Sequence, residues 1–153
     1  MRLLLLVEDN PADVDLLLEG LRVDDASTDI QIEALSTGVE ALRRLRDHRK
    51  PAPDLIMLDL NLPARGGHEV LAEIRQDPDL HLLPVIIFTS SAAPEEVRTS
   101  YALGANCHVT KPEGLARYLD VARTVEEFWL RTAALPPADA PPSPATRGGN
   151  GHG

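Results

Sequence analysis

Glu8-Asp9, Asp59, Thr89-Ser90 and Lys111 are the residues of this chain whose types and surroundings could do chemistry. Each follows directly on a short apolar run: Leu3 to Val7, Leu55 to Leu58, Pro84 to Phe88 and Cys107 to Thr110. Taken singly, an acid after such a run is commonly a helix cap or a turn residue. Four polar clusters following four strands converge if the strands are parallel, because all the C-terminal strand ends then lie at one edge. Three carboxylates against one ammonium leave about two negative charges in a crowded site, which like-charge repulsion opposes. A divalent cation cancels them. Mg2+ is the expected ion, since it takes hard oxygen ligands, keeps several waters and completes its shell with phosphate oxygens. Lys111 is then free to meet an incoming anion and Thr89 to hydrogen-bond it. An aspartate beside Mg2+, a lysine and a threonine is equipped for phosphoryl transfer onto its own carboxylate.

The elements that must position these residues follow from the patterning. Leu55-Ile56-Met57-Leu58, bounded by Pro53 and Pro63, reads as a strand buried on both faces, with Asp59 at its C-terminal end. Leu3 to Val7 has the same design. Asn10-Pro11-Ala12-Asp13 is a helix start: Asn as cap, Pro in the first turn, an acid facing the dipole. Val14, Leu17, Leu18 and Leu21 continue that helix at helical spacing. Thr28 to Leu35 alternates through Ile30, Ile32 and Ala34, a strand signal. Thr37 with Glu40 forms a capping box for a basic helix expected to reach about Lys50. Gly66-Gly67 opens a helix carrying Val70, Leu71 and Ile74, and Asp77-Pro78 ends it. Pro94-Glu95-Glu96 starts another, closed by Gly104. A last helix from about Leu115 places Tyr118, Leu119, Ala122, Val125 and Trp129 on one face. Five β-α units in succession imply an α/β fold: a doubly wound, five-stranded parallel sheet with right-handed crossovers.

Composition excludes other classes. The 153 residues suffice for one domain, here 1–133, with a Pro/Gly-rich tail at 134–153 expected to be disordered. Aromatics are only 3%, so the core must be aliphatic. A net charge of -9 opposes nonspecific nucleic-acid binding and docking on anionic membranes. The single cysteine, Cys107, excludes an internal disulfide and a cysteine-rich zinc site, and suits a reducing cytoplasm. No signal peptide is convincing, because acids follow the first apolar run directly.

Val7-Glu8-Asp9-Asn10, Asp59-Leu60-Asn61-Leu62-Pro63 with Gly66-Gly67, Thr89-Ser90 and Lys111-Pro112 together resemble the receiver domains of two-component response regulators, over about Arg2 to Leu130. The resemblance implies the flavodoxin-like strand order 2-1-3-4-5. It implies that Asp59 is the phosphoacceptor, that Asp9 ligates Mg2+ with Glu8 acting mainly through water, and that Asn61 offers a backbone carbonyl to the metal. Thr89 would be the switch hydroxyl, Lys111 the phosphate-contacting lysine, and the peptide before Pro112 would be cis. Such domains are phosphorylated signalling receivers; the only catalysis they support is their own phosphorylation and dephosphorylation. Glu8 to Asp13, the Asp77-Pro78 insertion and Glu126-Glu127-Phe128-Trp129-Leu130 resemble more narrowly the single-domain regulators paired with bacterial phytochromes. That match implies a red-light-sensing histidine kinase as phosphodonor and no output domain.

One position departs from the family. Receivers carry Tyr or Phe three residues before the lysine; here it is His108, so output could depend on pH, or His108 could be a plain strand-end surface residue. Phe128 and Trp129 are adjacent, so one can be core while the other is exposed, marking a homodimer contact on the last helix. Cys107 reads as a small buried hydrophobe. His48, His68, His81 and His152 show no metal spacing and read as solvated, as does the basic stretch Arg43, Arg44, Arg46, Arg49 and Lys50. Three other classes stay open. An aspartyl-phosphate phosphohydrolase of the haloacid dehalogenase type also orders Asp, Thr and Lys, but Asn61 stands where its second acid should be, and Glu8-Asp9 come first instead of last. A flavodoxin-type FMN carrier would need a phosphate cradle where this chain has an acidic loop. A receiver-like binding module without phosphorylation would not need the intact acid set.

Overall fold

In the computed structural model, residues 2–21 and 30–137 are described. Five strands alternate with five helices: β1 Arg2–Val7, α1 Pro11–Leu21, β2 Ile30–Leu35, α2 Gly38–Leu45, β3 Leu55–Leu58, α3 Gly67–Gln76, β4 Val85–Thr89, α4 Pro94–Ala102, β5 Cys107–Thr110 and α5 Leu115–Val125. All pairings are parallel, in the order β2-β1-β3-β4-β5. The expected fold and strand order are those observed. Thr28 and Asp29, and the tail from residue 138 onward, lie outside the described residues.

The central strands carry no polar side because both their faces are covered. Leu5, Val7, Ile56, Leu58, Val85 and Ile87 pack with α2 and α3. Leu4, Leu6, Leu55, Met57, Ile86 and Phe88 pack with α1 and α5. Period-two alternation therefore divides one apolar run between two cores. Gly20 of α1 lies so close to α5 that a Cβ there would stand 2.6 Å from that of Ala122.

Local signals hold with shifts. Asn10 caps α1 through Oδ1, which accepts from the Ala12 and Asp13 amides. Thr37 Oγ1 accepts from the Glu40 amide, while the Glu40 carboxylate reaches back to Ser36 instead of the cap itself. α2 stops at Leu45, short of Lys50. Its Arg44 is not solvated: Nε donates to both Glu33 carboxylate oxygens and Nη2 to the Pro51 carbonyl.

The last helix is where periodicity misleads. After Val125 it widens into a π-helical segment, Glu126–Thr132, with the Ala133 amide donating to the Phe128 carbonyl. The i→i+5 spacing of this segment aligns Leu130 with Val125, so Leu130 is buried (4% exposed) and Trp129 is only half-buried. Phe128 is 52% exposed. The two rings meet edge to face, with centroids 5.4 Å apart.

Candidate functional site

The backbone fixes the site residues before any side chain acts. Sheet pairing runs on past the strand ends: the Glu8 amide donates to Leu35, Asp59 to Val7, and Lys111 to Thr89. Each reactive side chain is thus the first group beyond a strand whose neighbour still holds its main chain. α3 closes against the same point. A Cβ on Gly67 would stand 2.2 Å from the Asp59 carbonyl oxygen, so only glycine lets the helix start so near the aspartate.

Lys111 gathers the acids. Its ammonium donates to Glu8 Oε1 at 2.7 Å, Asp13 Oδ2 at 3.0 Å and Asp59 Oδ2 at 3.0 Å. The ammonium also sits 5.9 Å from the centre of the Phe88 ring, which meets Tyr118 edge to face. Glu8 and Asp59 are buried and Asp9 is exposed. Carboxylate oxygens of these three lie within 4.8 Å of one another. That is a fit for a hard divalent cation with one open, wet side. Asn61 is exposed; its amide donates to Asp59 Oδ1 at 3.1 Å. Thr89 is fully buried, and its Oγ1 has no hydrogen-bond partner among the described residues. A cleft of about 400 Å³ opens beside Lys111, Asp13, Ser90 and Tyr118.

The charges settle unequally. Burial pushes Glu8 up to about 7; Lys111 opposes the rise and Asp59 adds to it. Burial also acts on Asp59, but the Asn61 amide and the Lys111 ammonium outweigh it and hold this carboxyl below its ordinary value. Burial works against the Lys111 charge, and the three carboxylates more than compensate, raising its pKa. Of the two acids, Glu8 is thus the one that holds a proton more tightly and Asp59 the one that ionises more readily.

The structure brings together Glu8, Asp9, Asp59 and Lys111, with Thr89 and Asn61 beside them. Asp13, by its position a helix-start acid, is a partner of Lys111 as well, because the N-terminus of α1 opens onto the same sheet edge. The peptide before Pro112 is a correction: no peptide among the described residues is cis. Trans is the intrinsically favoured isomer even before proline, and Lys111 reaches all three acids with that bond trans. His68 and His108 form a further polar chain: Ser100 Oγ lies 2.9 Å from His68 Nε2 and 2.9 Å from His108 Nδ1, and His108 Nε2 lies 3.1 Å from the Ser91 carbonyl. His68 is therefore not the solvated group the sequence suggested, and of the two readings of His108 the plain surface residue does not fit these contacts.

Comparison with known proteins decides the family. The model of the response regulator receiver domain matches residues 4–123. This chain belongs to the response regulator receiver family. The receiver is 40% identical to the response regulator Rcp1 of Synechocystis sp. over 141 residues, covering 90% of this chain and 95% of that one. It superposes on the Mn2+-bound form of Rcp1 with a TM-score of 0.84, over 90% of this chain and 100% of the other. The phosphorylated cyanobacterial phytochrome response regulator RcpA gives a TM-score of 0.84 at 39% identity, over 89% and 99% of the two chains. A receiver is a signalling module that takes its phosphoryl group from a histidine kinase and uses a divalent metal, so the phosphohydrolase and FMN-carrier readings fall. No helix among the described residues is long and apolar enough to cross a membrane.

Proposed function

We propose that Asp59 is the phosphoacceptor of this receiver. The observation that carries the reading is the buried Asp59 carboxylate, held on one oxygen by Lys111 at 3.0 Å and on the other by the Asn61 amide. An Asp59 oxygen attacks the phosphorus of a kinase phosphohistidine; the new O–P bond forms as the P–N bond breaks, and the imidazole leaves with the electron pair. Lys111 exchanges a carboxylate contact for the transferring oxygens, and the free Thr89 hydroxyl donates to one of them. Mg2+ held by Glu8, Asp9, Asp59 and the Asn61 carbonyl would cancel the remaining charge. Glu8 would have to be deprotonated to serve as a ligand of that ion. The acyl phosphate is later hydrolysed at the same site, and between those events Thr89 is drawn toward the new charge.

The phosphodonor is a bacterial phytochrome kinase in the cytoplasm. The 39% identity to a phytochrome response regulator supports this. The exposed Phe128 beside Trp129 supports a homodimer through the last helix and its π-helical segment.

Beryllofluoride with Mg2+, a phosphoryl mimic, tests the assignment. Amide NMR shifts and dimer fraction should change in the wild type, remain unchanged in Asp59→Asn, and in Phe128→Ala the shifts should change with a weaker dimer. Equal shifts in Asp59→Asn would end the reading.

A further inference from the structure

His68, Ser100 and His108 link the start of α3, the last turn of α4 and strand β5, and the chain ends on the Ser91 carbonyl, two residues beyond Thr89. Its directions can be worked out from the acceptor at its end. A carbonyl only accepts, so His108 Nε2 carries a hydrogen. In the neutral ring Nδ1 is then bare and accepts. Ser100 must therefore donate to His108, which leaves its oxygen to accept from His68 Nε2–H. Both neutral rings are thus Nε2–H tautomers, and each hydrogen bond along the chain has one donor and one acceptor.

One added proton also fits. With Nδ1 of His108 protonated, Ser100 accepts from it and turns its own hydrogen to His68, which changes to the Nδ1–H tautomer. A second proton does not fit. Both rings would then donate to the same oxygen, and the fully buried Ser100 hydroxyl would lose its acceptor. We infer that His68, Ser100 and His108 form a one-proton relay that positions the loop after Thr89, with His68 and Ser100 acting through His108 on the Ser91 carbonyl. This proposal rests on the receiver reading for what the loop does, though not for the relay itself.

The groups around the relay agree with it. Glu96 on α4 acts on His68 from outside the chain and favours its charge, whereas burial and His108 oppose it, holding His68 below its ordinary value. The Tyr101 hydroxyl, also on α4, accepts from the His108 amide at 3.3 Å. α4 buries Ser100 and no other side chain, so the relay is its principal internal attachment. A protonated His108 donates to the Ser91 carbonyl as a cation, a stronger bond than the neutral ring makes. The loop is then harder to release, and activation should weaken as pH falls.

Two measurements test this on the full chain. Imidazole 15N spectra, recorded without any phosphoryl mimic, give each ring's tautomer and proton count, and so stand apart from the assignment of Asp59. At about pH 8 both rings should be Nε2–H; at about pH 6 the pair should hold no more than one added proton between them, with His68 in the Nδ1–H tautomer wherever that proton is bound. Ser100→Ala should give two independent titrations. Two independent titrations in the wild type, or an Nδ1–H tautomer of His108 at about pH 8, would overturn the relay. Next, the beryllofluoride midpoint is compared between wild type and Ser100→Ala at both pH values, because the ratio cancels the pH dependence of the metal site. The wild type should weaken relative to the variant by about fivefold on going to the lower pH; an unchanged ratio would show that the relay does not position the loop. His68→Gln, which can still bond Ser100, serves as a milder variant and should shift the ratio in the same direction as Ser100→Ala.

Discussion

The two halves of the strand-end edge are built differently. On one side Glu8, Asp59 and Lys111 are held by continued sheet pairing, by α3 pressed through Gly67 onto the Asp59 carbonyl, and by one ammonium shared among three acids. On the other side α4 buries a single serine, attached by hydrogen bonds to two histidines. α3 buries Val70, Leu71 and Ile74 in the core; α4 has no such stripe. Apolar packing is non-directional and hard to undo in part. A polar chain can be broken, reversed or re-formed at small net cost. The half proposed to carry the chemistry is therefore the stiff one, and the half proposed to move is tied by bonds that can be exchanged.

Breaking the stiff half should cost most. Lys111→Met leaves three acids without their shared cation, and unfolding in urea should show a loss of about 3–5 kcal/mol, with Mg2+ restoring part of it. Gly67→Ala forces α3 away from the Asp59 carbonyl; overpacking of this kind costs about 1–3 kcal/mol, and phosphorylation should slow with it.

Proton linkage sharpens the contrast. Glu8 is raised from 4.5 to about 7 in the folded chain. The folded state therefore holds this proton more tightly than the unfolded one. The stability it contributes is complete below about pH 4.5 and lost as pH rises through about 7. Metal-free protein should accordingly show a falling Tm across that window, and Glu8→Gln should flatten the curve. Asp59 runs the other way: its lowered value contributes stability that is lost only as pH falls below its ordinary 3.8 and on through its folded value. The smallest effect belongs to the movable half. Tyr101→Phe removes one long, exposed bond to the His108 amide and should change stability by no more than about 0.5 kcal/mol.

Much of this could be read without coordinates. Leu55 to Leu58 announced a strand covered on both faces because the side chains alternate between two cores and neither core tolerates polarity. Asn10 and Thr37 declared their helices by cap chemistry, which is local. Val125 is buried as its spacing predicts, but the step from it to Trp129 misleads, because the backbone widens there and Leu130 takes the buried place. The four polar clusters could be placed at one edge by topology alone, since parallel strands end together.

The fold, the acids and the family were legible in the order of the amino acids, for these rest on local patterning and on residues adjacent to strands. Packing set which partners meet across long separations: Asp13 with Lys111, 98 residues apart, and His68 with Ser100, 32 apart. Such pairings have no periodicity or spacing to signal them. They exist only once three helices and a strand edge are packed, because the directions in which those side chains point are set by the packing and not by their neighbours in the chain.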